Sequence, residues 1–148
     1  MHTASIAQTT PAHDSRQWAA GLHIGALLLA VMTSWMSGLA GALVAGVVYL
    51  LKRDADAFVA EHAREALNFH LSMFVYACAI VVAAIALVGA TVLTLGIGAI
   101  VTLPAGLVLA TAALGLAVLW LVSSCVAAVH AWNGEHYRHP LTLRFFGG

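Results

Sequence analysis

The 148-residue sequence is poor in charge. Only 8% of its residues are Asp, Glu, Lys or Arg, six basic and six acidic, against roughly 25% in an ordinary soluble domain. That is too little to cover a water-facing surface, which excludes a soluble globular fold. Disorder is excluded from the opposite side, because 62% of the residues are hydrophobic and such a chain does not stay solvated. A net charge of zero argues against a basic patch for nucleic acid. Cysteine is scarce too. Cys78 and Cys125 are too few for a disulfide framework and form no C-x-x-C zinc spacing. Both lie in apolar runs and read as small packing residues. What remains is a small integral membrane protein with one domain and no separate soluble module.

The first fifteen residues, MHTASIAQTTPAHDS, lack the basic start of a signal peptide and read as a flexible polar tail. No charge falls between Gln17 and Leu51, and none between Ala66 and Gly134. The charges form three groups: Asp14 and Arg16; Lys52, Arg53, Asp54, Asp56, Glu61, Arg64 and Glu65; Glu135, Arg138 and Arg144. A membrane-spanning helix needs about 20 residues at about 1.5 Å each. The first apolar run is too long for one span and breaks at Thr33, Ser34, Ser37 and Gly38. The second holds two spans, with Gly89, Gly96, Gly98 and Pro104 marking the reversal. The spacing predicts four transmembrane helices near 16–34, 38–52, 57–88 and 103–132, arranged as two hairpins. Pro104 suits the first turn of the fourth. The uncharged connection over 89–103 is free to dip into the bilayer if its backbone is hydrogen-bonded internally. Four crossings bring every Lys and Arg to one side, which the positive-inside rule makes cytoplasmic. The protein is thus expected to be an all-α bundle in the bacterial inner membrane with both termini cytoplasmic.

Lipid tails are as apolar as Leu, so the helices must associate through close packing and polar contacts. Small residues at four-residue spacing occur as Gly21/Gly25, Gly38/Ala42/Gly46, Ala79/Ala83 and Gly106/Ala110. These read first as packing seams within the chain. The Gly21/Gly25 pair is also a candidate face for self-association or for other membrane proteins. Trp18, Trp132, Tyr49 and Tyr137 suit interface anchors, whereas Trp120 lies too deep and is expected to pack.

Residues 52–73, KRDADAFVAEHAREALNFHLSM, carry most of the information. Asp56 is a plausible N-cap for the third helix. On a helical wheel Glu61, Glu65, Asn68 and Ser72 form one polar stripe. Arg64 sits beside it and can pair with Glu61. Asn68 and His70 lie at the depth where the helix enters the membrane and need partners, and His23 on the first helix lies at a comparable depth. Three readings compete: a solvated interfacial turn whose charges neutralise each other; a polar cluster that fixes the bundle, meets a partner or lines the mouth of a path; and a metal or haem site using His23, His62, His70 or His130 with Glu65. The polar-cluster reading takes in His23, Glu61, His62, Arg64, Glu65, Asn68, His70, Glu135 and Arg138. H-x-x-E alone is a weak metal pattern, and H-E-x-x-H is absent. There is no G-x-S-x-G, no phosphate loop and no paired intramembrane Asp, so no catalytic site and no cofactor are expected. Asn133-Gly134 is a good helix stop. The tail beyond it, with Leu141, Leu143, Phe145, Phe146, Arg138 and Arg144, reads as a segment lying on the membrane surface. Its arginines would meet lipid headgroups or the acidic residues of 54–65.

The segments LHIGALL (22–28), FVAEHAREALNFHLSM (58–73) and NGEHYRHPLTLRFF (133–146) also carry a resemblance. Together they look like a bacterial membrane family of unknown function, described as similar to the chloroplast inner-envelope import component Tic-twenty. The resemblance spans about 16 to 146. It implies recurring polar positions at His23, Glu61, His62, Glu65, Asn68, Asn133, Gly134, Glu135, Tyr137, Arg138 and Pro140. This chain departs from the pattern at His70, where Gln is expected, and at His139, where an aromatic residue is expected. The resemblance implies four membrane helices with both ends on one side and supplies no activity; the import role of the plastid relatives is only an analogy. The expectation is a transport-related or membrane-complex component that is not an enzyme, with a metal- or haem-binding carrier as the alternative.

Overall fold

The computed structural model describes residues 10–33 and 37–147, with Ser37 by its backbone only. His2, Ser34 and most of the polar tail lie outside the described residues. Four helices form in chain order: α1 His13–Met32, α2 Ser37–Lys52, α3 Ala57–Leu93 and α4 Ala99–Asn133. The architecture is all-α, two hairpins, and α3 and α4 are both long and apolar enough to cross a membrane. Asp56 caps α3 as expected, its carboxylate accepting the Val59 N–H at 3.2 Å. Gly134 ends α4 at φ 80°, a left-handed conformation that glycine adopts without strain.

The turn between α3 and α4 is much tighter than the expected connection over 89–103. It occupies only residues 94–98, with Leu95 and Gly96 at positive φ. Gly96 N–H reaches the Thr91 carbonyl at 2.9 Å and Ile97 N–H the Thr94 carbonyl at 3.1 Å. Thr94 Oγ1 accepts the Gly98 N–H at 2.8 Å, and the Thr91 and Thr102 hydroxyls meet at 2.6 Å. The threonines thus close the turn from inside, so its uncharged backbone finds hydrogen-bond partners within the chain. Because α4 starts at Ala99, Pro104 stands beyond its first turn rather than in it.

The seams divide sharply. Gly38/Ala42/Gly46 is a real interface with α3. A Cβ on Gly38 would stand 2.7 Å from Phe74 Cβ, one on Gly46 would touch Leu67 at 3.8 Å, and Ala42 is buried. By contrast nothing lies within 4 Å of where a Cβ would sit on Gly21, Gly25 or Gly106, and Ala79 is exposed. Those three pairs are not seams within the chain. The interior is instead built from alanine. Ala19, Ala20 and Ala131 pack with Phe58 and Val59, and Ala45, Ala63 and Ala66 pack with Leu22. Short side chains let the backbones approach, which is where association energy comes from in lipid. Both cysteines are exposed and serve no packing role in the core.

After Gly134 the chain does not lie flat on a surface. It climbs beside α3, turns at Leu141 (φ 55°) and comes back, touching α3 in turn at His62, Tyr76, Ser72, Asn68 and Arg64.

Candidate functional site

Glu65, Asn68 and Ser72 of the polar stripe of α3, joined by Arg64 and Tyr76, form the ladder on which this tail is hung. Tyr76 donates its hydroxyl to the Leu141 carbonyl at 2.8 Å. Ser72 Oγ accepts the Leu143 N–H at 2.8 Å and donates to the Asn68 carbonyl at 2.6 Å. Asn68 Oδ1 accepts the N–H groups of Phe145 (3.1 Å) and Phe146 (2.9 Å), while its Nδ2 donates to the Phe146 carbonyl at 3.0 Å. Arg64 donates to the Gly147 carbonyl at 3.2 Å. Positions 64, 68, 72 and 76 recur every four residues, so they share one helix face. Backbone outside regular structure needs partners for its N–H and C=O groups wherever it is shielded from water, and these side chains supply them. One contact is ionic: Arg144 Nη1 stands 2.5 Å from Glu65 Oε1. Of the two destinations expected for the tail arginines, Arg144 takes the acidic one, and Arg138 is exposed.

Behind the tail lies a cluster of imidazoles. His23, His62, His70 and His139 are all buried. His62 Nε2 is 3.1 Å from the Glu135 carbonyl, so in a neutral ring that nitrogen carries the proton. His62 Nδ1 then accepts from His23 Nε2 at 3.1 Å. His23 is therefore a hydrogen-bonding partner as the sequence suggested, though for His62 rather than for Asn68 or His70. His70 Nδ1 accepts the Trp120 N–H at 3.3 Å, which is the packing role foreseen for Trp120. His139 stacks on Phe69 with ring centroids 4.0 Å apart and planes 13° apart, and its centroid is 5.5 Å from that of His23. It thus fills the place of the aromatic residue expected there. Both its ring nitrogens are buried without a hydrogen-bond partner, as is Glu65 Oε2. Burial in this apolar setting, reinforced by His70 and His62, pushes the His139 pKa down to about 3.

The remaining members stay at the rim. Glu61 faces His136 Nδ1 at 3.3 Å, and Arg64 goes to the tail instead of pairing with Glu61. His130 pairs with Glu135 at 2.6 Å and stacks on Tyr137, apart from the buried imidazoles. Among the described residues no three His, Cys, Asp or Glu side chains are arranged to hold a metal ion. Sequence reasoning missed Tyr76 and His139. The four-residue step from Ser72 and the substitution of an expected aromatic were the signals that pointed to them.

A helical hairpin without charge from Ala66 to Asn133, carried on a bundle whose polar groups gather at one end, defines a helical membrane protein. This one belongs to the MamF_MmsF family, the magnetosome magnetite crystal formation protein family, which it matches over residues 14–146. Comparisons with curated proteins and with solved structures give no match. A bacterial membrane family was expected and one is found, but it is the magnetosome family, and no likeness to Tic-twenty is shown.

Proposed function

We propose that the protein is a non-enzymatic component of a membrane assembly that acts in magnetite crystal formation, with its charged end as the partner-binding surface. The observation that carries this reading is the family match over nearly the whole chain. The site agrees with it. The stripe on α3 is spent on holding the chain's own tail, so it builds a rigid end rather than an open path. That end displays Glu61, Arg64, Glu135, His136 and Arg138 to the aqueous boundary. All six Lys and Arg belong to this end of the molecule or to the tail docked on it, which favours an inner-membrane, multi-pass orientation with both termini cytoplasmic. The transport role that a Tic-twenty-like protein would have is a narrower version of the same proposal and needs a cargo beside the assembly partner.

The test is Asn68→Leu and Glu65→Ala in the producing cell. Each frees the tail, and each is expected to reduce co-purification of partner membrane proteins and to change crystal size or number. Unchanged co-purification and unchanged crystals in both variants would remove the reading. The carrier alternative has one observation in its favour, the two unpartnered nitrogens of buried His139 beside His23. Metal analysis of the wild type against His139→Phe decides it, and an equal metal content in the two rejects it.

A further inference from the structure

The two hairpins do not reach equally far. At about 1.5 Å per residue, the 37 residues of α3 and the 35 of α4 make a hairpin about 52–55 Å long. The 20 residues of α1 and the 16 of α2 extend only about 24–30 Å. Both hairpins start from the same charged end. Gly38, at the far end of α2, sits against Phe74, and there the covering stops. Every buried residue of α3 lies between Phe58 and Met73, and every one of α4 between Ser123 and Ala131. From 74 to 122 no described residue is buried and none is charged.

That bare stretch is about 30 Å tall by the same rise, and large apolar side chains such as Val82, Ile85, Val88, Leu107 and Val108 are exposed along it. Water is therefore excluded as its surroundings, and acyl chains are the matching ones. The outer faces of α1 and α2 are apolar as well, with Leu28, Met32, Leu43, Val47 and Leu51 exposed, so they too lie in lipid. The whole apolar column is taller than one core, and a tilt of up to about 40° takes up part of the difference. The short hairpin then widens the protein only on the charged side of the bilayer. That side holds four helices and the docked tail, and the opposite side holds two helices. At the step between them lies an apolar groove of about 530 Å³ lined by Gly38, Phe74, Ala77, Cys78, Val81 and Trp120, open to acyl chains.

The geometry points to a wedge: the protein selects bilayers that are convex on the side of its charged end. A body wide in one leaflet and narrow in the other leaves packing stress in a flat bilayer, and bending toward the wide side relieves it, as it does for other curvature-sensitive lipid-inserted elements. The recognised ligand is a lipid surface of defined curvature. This rests on the membrane reading above but not on which side of the cell membrane the charged end faces.

The experiment reconstitutes the full chain into small sonicated and large extruded vesicles of one phosphatidylcholine–phosphatidylglycerol mixture. Orientation is read by protease cleavage at residues 53–56. Chains with the charged end outward are expected to be enriched several-fold in the small vesicles, and inward-facing chains to be depleted from them. Equal partition of both orientations overturns the wedge. So does a stable dimer whose cross-links join the 75–93 stretches of two copies, because the narrow half is then covered by protein. Either result leaves the assembly proposal standing, and loss of the partner phenotype leaves the vesicle result untouched.

Discussion

At the scale of single residues, His139 joins the tail to the core. It is apolar in its surroundings and stacked like a phenyl ring on Phe69, yet it carries two nitrogens that find no partner. Buried polar atoms without partners cost stability, by about 1–3 kcal/mol in mutational data. His139→Phe keeps the stack and removes those atoms, so it is expected to hold or raise the melting temperature in detergent, whereas His139→Ala lowers it. The pH dependence has a definite sign. With the folded pKa near 3 and the unfolded value near 6.5, the unfolded chain binds the extra proton across that window. Stability from this group is complete above about pH 6.5 and is lost as the pH falls toward 3, with a slope of up to about 1.4 kcal/mol per unit. His139→Phe should flatten that acid limb. An acid limb as steep as the wild type's would show that His139 is not its source.

At the scale of elements, the glycines of α1 and α2 look alike in the sequence and behave differently in space. A Cβ on Gly41 runs into the His70 ring, so Gly41→Ala is expected to destabilise by about 1–3 kcal/mol through overpacking. Gly25 meets nothing, so Gly25→Ala should stabilise α1 by up to about 1 kcal/mol through helix propensity alone. Thermal unfolding of both variants in the same detergent checks the pair, and reversed signs would contradict the packing described. The same contrast explains how much of this level was readable. GxxxG spacing states that two backbones are able to approach. Whether a partner helix stands there depends on how each hairpin turns. The polar stripe on α3 was legible because 3.6-residue periodicity is a property of the helix itself. Its occupant was not, because a tail carrying Leu141, Leu143, Phe145 and Phe146 is equally suited to a membrane surface and to a groove. Only the groove supplies donors and acceptors at the depth of Asn68 and Ser72.

At the scale of the whole molecule, the placement of charge gives a direct test. In a background with Cys78→Ala and Cys125→Ala, Asp54→Cys lies at the charged end and Ile97→Cys in the turn at the far tip. A membrane-impermeant maleimide is expected to label Asp54→Cys only from the cytoplasmic side and Ile97→Cys only from the opposite side. Labelling of both from one side would contradict the crossing of α3 and α4.

The linear order of residues by itself decided the solvent, the helix count and the asymmetry of charge, because those depend on composition and spacing, which need no knowledge of distant contacts. It also placed the Asp56 cap and the Gly134 stop, both local to a few residues. Tertiary structure alone decided that the tail folds back onto α3, that Arg144 meets Glu65, that His139 enters the imidazole cluster, and that one hairpin overtops the other. The reason is range. Each of these joins residues that are far apart in the chain or compares the reach of separate elements, and their partners are set by packing geometry that no local pattern encodes.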